Sequence, residues 1–175
     1  MKPLFMWAGG KTRLIKKYKE KEVLPAEFDS YIEPFLGGGA MFTWAYNKNP
    51  DAQFYLNDSN DSVMNIYRAI KHDVHRFIEI MDQCSAIYLP LEKADRKTYY
   101  YELRHEHAFD YFKWSATEEA AALYFLMKTG FNGIWQINKN TNGRFGTPSG
   151  LLNQKDKVYD KKNVMEWHKA LRNCT

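Results

Sequence analysis

The stretch YIEPFLGGGAMF, residues 31–42, runs an apolar, strand-like segment into three consecutive glycines and an amphipathic run. A strand, a glycine turn and a helix in that order open a doubly wound α/β sheet, where a turn without side chains lets backbone approach a ligand closely. The next strand-like segment, AQFYLND, ends on an acid, Asp58. An acid about 20 residues beyond the turn is placed to accept a hydrogen bond from a ribose hydroxyl. A dinucleotide fingerprint would put a third glycine three positions after the second, and the residue that far beyond Gly39 is Phe42. Glu33, just before the turn, would repel a pyrophosphate and favour a cationic ligand. S-adenosylmethionine offers a sulfonium, an amino group, an adenosine for Asp58 and no phosphate. The residues therefore favour a methyl donor over NAD.

Around this opening the periodicity predicts a basic helix from Thr12, a strand over residues 30–35, and a helix directly after the glycines. A long helical stretch from Asp61 is broken near His72 and Asp73, and two further helices span about 93–112 and 117–129. In NGIWQINKNTNGRFGTPSG, β-forming residues flank a polar tip, and Asn142-Gly143 is a hairpin-turn signal. A last basic helix, DKKNVMEWHKALRN, precedes Cys174 and Thr175, where an α/β protein would begin another strand. The net charge of +4 is unevenly spread. Residues 11–21 and 139–175 each carry a net +5, and the stretch 22–138 is acidic. Two basic segments that met in space would make a phosphate-facing surface.

Four stretches, taken in order and spacing, resemble one family: FMWAGGK (5–11), YIEPFLGGGAMF (31–42), YLNDSN (55–60) and LMKTGFNGIWQINKNTNGRFGTPSG (126–150). Together they resemble the Dam-type DNA adenine-N6 methyltransferases. The resemblance implies an α/β fold with a partial Rossmann-like S-adenosylmethionine-dependent methyltransferase sheet. A mostly helical target-recognition subdomain bearing a β-hairpin would accompany it. Residues 1–60 would form the N-terminal part of the cofactor domain and 61–150 the recognition subdomain, with its hairpin over 132–150. Residues 151–175 would be a basic helix returning towards the rest of the sheet. The implied cofactor-binding residues are Trp7, Ala8, Gly9, Lys11, Glu33, Phe35, Gly37, Gly39 and Asp58. The implied contacts to double-stranded DNA are Asn132, Gln136, Asn138, Lys139, Asn140 and Arg144. The family's GATC readers commonly carry an arginine where this chain has Gln136. Arginine pairs with guanine O6 and N7, glutamine with adenine N6 and N7, so a site other than GATC is expected.

The family also uses a motif of Asp, Asn or Ser followed by Pro-Pro and an aromatic residue to hold the flipped adenine. The six prolines here are never adjacent, so no catalytic residue is assigned and methylation by this chain alone is not expected. Three accounts stand side by side: a piece of a longer or split enzyme, a degenerate relative that binds cofactor or DNA, and a fragment set by how the gene was cut. A second chain supplying the missing half of the sheet, or self-association through an exposed edge near residues 30–35, would complete it. A DNA-binding module without catalysis is the alternative from another class, and an α/β domain for another nucleotide is a third.

Two cysteines far apart provide neither a disulfide framework nor metal spacing, and His105 and His107, two apart on a helix, point away from each other. No metal site is expected. No apolar run reaches membrane-spanning length, and a cytoplasmic setting in a bacterial or phage-infected cell is the expectation.

Overall fold

In the computed structural model, which describes residues 1–150 and 156–175, β1 (Ser30–Glu33) runs through the glycine turn into α2 (Ala40–Lys48), and β2 (Gln53–Leu56) returns parallel to β1. β1 ends at Glu33, two residues short of the expected end. Pairing nevertheless continues past both strands: Asn57 N donates to Glu33 O at 2.8 Å, and Leu36 N donates to Asn57 O at 2.9 Å. The other edge of β2 is met by the chain's last residues, with Leu56 N donating to Thr175 O at 2.8 Å and Thr175 N to Phe54 O at 2.9 Å. The doubly wound sheet expected from the sequence is thus represented by two strands and one parallel bridge, Phe54 to Cys174, within a helix-rich molecule. The outer edge of β1 has no strand partner among the described residues.

The helices are α1 (Thr12–Glu20), α3 (Asp61–His72), α4 (Val74–Tyr88), α5 (Lys93–Phe109), α6 (Ala116–Thr129) and α7 (Lys161–Leu171). The expected break falls at Asp73, whose extended φ of -145° ends α3 and starts α4. Asn60 caps α3 by accepting from Val63 N. Ser115 and Glu118 form a reciprocal capping box that fixes the start of α6. α6 is buried on nearly every side and packs against α3, α4 and α5, so it forms the axis of the helical part. α7 buries Val164, Trp167, Ala170 and Leu171, spaced three or four apart, and packs on α3. One continuous apolar cluster joins Phe42 and Phe54 beside the sheet to Tyr88, Tyr100 and Phe125 among the helices. No helix among the described residues is long and apolar enough to cross a membrane.

The hairpin expected over 132–150 does not form as a ladder. Single antiparallel bridges join Ile137 to Phe145 and Gly130 to Ser149, and Lys139–Thr141 is a 3-10 turn. Polar side chains at the tip take the backbone groups a ladder would need. Thr141 Oγ1 donates to Arg144 O at 2.9 Å, and Gly143 N closes back on Asn138 O at 3.0 Å. Residues 151–155, where the expected returning segment begins, lie outside the described residues.

Candidate functional site

The glycine turn is a crossing point. The segment Leu4–Trp7 passes beneath it, with Leu4 N donating to Gly38 O at 3.1 Å. Gly37 has a φ of +49°, and a Cβ there would lie 2.7 Å from Trp7 Cδ1. Gly39 has a φ of +73°, and a Cβ there would enter the ring of Trp167. Both positions need glycine twice over, for the left-handed backbone and for the aromatic ring pressed against it. Asp58 holds the turn from the far side. Its Oδ2 accepts from Gly37 N at 2.8 Å and its Oδ1 from Asn60 N at 2.9 Å. Tyr67, wholly buried on α3, donates to Gly37 O at 2.7 Å.

Beside the crossing lies a cavity of about 630 Å³ whose wall includes Trp7, Lys11, Arg13, Glu33, Lys128 and Asn132. Ala8 and Gly9 complete the turn that carries Trp7 to Lys11 and also line it. Glu33, 7% exposed, closes the inner end, and Tyr31 donates to its Oε2 at 2.8 Å. Burial pushes the Glu33 carboxyl above its ordinary range, while the Tyr31 hydrogen bond and the Lys11 charge pull it back. Burial likewise holds the Lys128 ammonium below its usual range. A desolvated carboxylate at a cavity wall can receive a cation. Gly37, Gly39, Phe35 and Asp58 stand outside the cavity's wall. Phe35 is 69% exposed on the loop after β1, and Asp58 serves the turn with both oxygens while keeping further lone pairs.

The segment expected to read DNA divides in two. Asn132, Gln136, Lys139 and Asn140 are exposed, and Asn132 has a left-handed φ of 52° at the rim of the cavity. Asn138 is half-buried and turned inward, its amide donating to Gly146 O at 3.3 Å. Arg144 is also turned inward: it forms an ion pair with Glu119 and its guanidinium lies 3.6 Å from the centre of the Tyr111 ring. Arg104 anchors the same loop, donating to the carbonyls of Gly146 and Thr147 at 2.9 and 3.0 Å. Trp135 links the two halves of the site, with its ring centre 5.7 Å from that of Trp7 and 5.3 Å from that of Phe145. Trp135, Trp167, Tyr67 and Lys128 are the residues that sequence reasoning missed. Their partners lie far off in the chain, and no local spacing announces them. Among the described residues no group of three or more His, Cys, Asp and Glu side chains could hold a metal ion.

Residues 7–175 match the family model for D12 class N6 adenine-specific DNA methyltransferases. The chain is 32% identical to the Type II methyltransferase M.MjaIII of Methanocaldococcus jannaschii, with 99% of the chain and 60% of that relative covered. It is 34% identical to the Type II methyltransferase M.CviBI of Paramecium bursaria Chlorella virus NC1A, over 86% of the chain and 50% of the relative. It is 30% identical to a DNA adenine methylase of Haemophilus influenzae, over 85% of the chain and 47% of the relative. The chain therefore spans about half the length of the curated relatives it matches.

Proposed function

The chain belongs to the D12 class N6 adenine-specific DNA methyltransferases, and from that premise we propose that it carries the cofactor-binding and DNA-reading parts of a site-specific adenine-N6 methyltransferase. The cofactor is S-adenosylmethionine, which supplies an electrophilic methyl group when bound. Glu33 receives the positive charge of its methionine end. Trp7, Ala8, Gly9 and Lys11 form further parts of the wall, and of the glycine turn Gly38 reaches it, held in place by Gly37 and Gly39 on either side. Phe35 and Asp58 serve the adenosine end, Phe35 as a stacking face and Asp58 as the ribose acceptor. The observation that carries this reading is the buried Glu33 carboxylate on a cavity shared by Lys11 and Asn132. A structural acid has no need of such a cavity; a cation-binding acid does.

Duplex DNA is the substrate, read by Asn132, Gln136, Lys139 and Asn140 at the exposed rim, with Asn138 and Arg144 shaping the loop from inside. Methyl transfer to an exocyclic amine also needs an oxygen acceptor for that amine and a face to stack on the flipped base. Residues 1–175 contain no Pro-Pro motif of the kind the family uses, so no catalytic residue is assigned among them. The two-stranded sheet is then the core of a larger Rossmann-like sheet, and the free edge of β1 is where further strands join.

Calorimetric titration of the chain with S-adenosylmethionine tests the cofactor half. Binding is expected in the parent, with at least a tenfold loss in Glu33→Gln, the glutamine keeping the shape but not the charge. Equal affinity in both proteins would remove Glu33 from the site and with it the cation argument. The burial that raises the Glu33 pKa makes the carboxylate costly in the free protein. Its ionised form weakens the fold as pH rises through that raised pKa, so Glu33→Gln is expected to melt no lower than the parent at pH 8.

A further inference from the structure

The reading loop leaves one strongly charged surface without a role. α1 has no buried residue, yet it carries Arg13, Lys16, Lys17 and Lys19, with Lys11 and Lys21 at its two ends. The helix rests on α2 through Thr12, Ile15 and Lys19, which share a cleft with Thr43 and Trp44. Arg13, Lys17 and Lys21 fall four residues apart on the opposite, exposed side. Lys16 reaches Glu20 at 4.0 Å, and that is the only ion pair any cation of the helix makes among the described residues. Acids are plentiful elsewhere in the chain, so a helix needing neutralisation for folding could have found them. α7 shows the contrast: it buries an apolar face, and Lys161 at its start pairs with Asp82 at 2.8 Å.

Position gives the unpaired stripe its meaning. Arg13 lines the same cavity as Asn132, so the stripe begins where the reading loop meets the candidate cofactor site. Eight residues of helix carry it about 12 Å away from that mouth. Duplex DNA presents one charge per about 3.4 Å of axis on each strand, so this length faces three or four phosphates.

Resting on the reading of the chain as a DNA methyltransferase, we propose that the outer face of α1, through Arg13, Lys17 and Lys21, is a second contact surface for duplex DNA. It is a phosphate rail running outward from the cavity, apart from the reading loop. The rail grips backbone and reads no base. It lengthens the footprint beyond the recognition site and holds the duplex while the loop samples sequence.

The test is a fluorescence-anisotropy titration of labelled duplexes of unrelated sequence over a range of NaCl concentrations. The parent is compared with the double variant Lys17→Gln/Lys21→Gln and the loop variant Lys139→Gln, with thermal melts to verify folding. Glutamine keeps helix propensity and removes charge. The double variant is expected to flatten the slope of log K against log salt by about 1.8, equally for every duplex. An unchanged slope in a folded double variant, with a flatter one in Lys139→Gln, overturns the rail and leaves the DNA reading standing. A parent that binds no duplex overturns both. A double variant that keeps the DNA slope but loses binding to phosphatidylserine vesicles overturns the rail in favour of a membrane-facing helix.

Discussion

The glycine turn at residues 37–39 and the loop at residues 132–150 are both irregular, both rich in glycine, and both at the candidate site, yet they are held in different ways. The turn is fixed from outside. Trp7, Trp167, Tyr67 and Asp58, from four separate parts of the chain, each press on it or bond to it. The loop is fixed partly by itself, through Asn138, Thr141 and short-range backbone bonds, and from outside by Arg104, by Tyr100 donating to Thr147 O, and by Glu119 paired with its Arg144. The turn thus has almost no freedom to change residue without disturbing the fold. The loop can change exposed rim residues such as Gln136, Lys139 and Asn140 and keep its shape. On the proposed reading the cofactor lies at the first kind of site and DNA is read at the second.

Two glycines with nearly the same backbone give the sharpest way to break that contrast. Gly39 has a φ of +73° and Gly143 a φ of +71°, but a Cβ on Gly39 meets Trp167 while one on Gly143 meets nothing within 4 Å. Gly39→Ala is expected to destabilise by about 3 kcal/mol or more, from overpacking added to left-handed strain. Gly143→Ala is expected to lose about 1 kcal/mol, from the backbone strain alone. Urea denaturation of both variants checks this, and equal losses would mean that the turn is no better buttressed than the loop.

The loop's outside anchors supply the next two effects. Glu119 holds Arg144 beneath the loop, and Arg144 Nε is buried without a partner, so the pair is the guanidinium's main compensation. Glu119→Gln is expected to destabilise by about 2 kcal/mol, discounted from a fully buried pair because both side chains keep some solvent contact. Differential denaturation at neutral pH measures it, and a change below about 0.5 kcal/mol, no larger than an ordinary surface substitution, would show the anchor to be idle. Next to this pair sits His107, 1% exposed, with neither ring nitrogen hydrogen-bonded. Burial and then the Arg144 charge push its pKa down to about 3. A base whose folded pKa lies below its unfolded value of about 6.5 leaves the unfolded chain binding more protons between the two. Its contribution is complete above about pH 6.5 and is lost as pH falls towards 3, with a slope of at most about 1.4 kcal/mol per pH unit. Melts between pH 7 and 5 are expected to show that loss in the parent and a shallower one in His107→Leu. Parallel profiles would mean that His107 is charged, or solvated, in the fold.

The sequence made the turn legible because its logic is local: a strand, glycines that allow a left-handed path, and an acid at the end of the next strand. The helices were legible for the same reason, down to the break at Asp73, where the apolar period restarts. The reason for each glycine was not legible. Trp167 lies far along the chain from Gly39, and nothing in GGGAMF announces the ring that forbids a side chain. Arg144 reads as a tip cation until Glu119 and Tyr111 are brought beside it. The hairpin failed where side-chain donors, Thr141 Oγ1 to Arg144 O and the Asn138 amide to Gly146 O, competed with a ladder that strand propensity favoured.

The smallest expected effect on stability is also the one that most directly separates the two regions. Gln136 is exposed and makes no hydrogen bond through its side chain among the described residues, so replacing it should leave the melting curve nearly untouched, within about 0.5 kcal/mol. Its effect belongs on DNA. A glutamine offers one donor and one acceptor, which match adenine N7 and N6, whereas an arginine offers two donors to guanine O6 and N7. Gln136→Arg is therefore expected to move preference at one base pair from adenine towards guanine by about 1–3 kcal/mol, on top of a sequence-independent gain from the added charge that is the same for every duplex. A panel of duplexes differing at single positions, titrated against parent and variant at one salt concentration, reads the shift. If no position of the panel responds, Gln136 is part of the loop's solvated surface, and reading must pass to Asn132, Lys139 and Asn140. If one position responds without loss of stability, the loop is a surface on which specificity changes independently of the fold, as the turn is not.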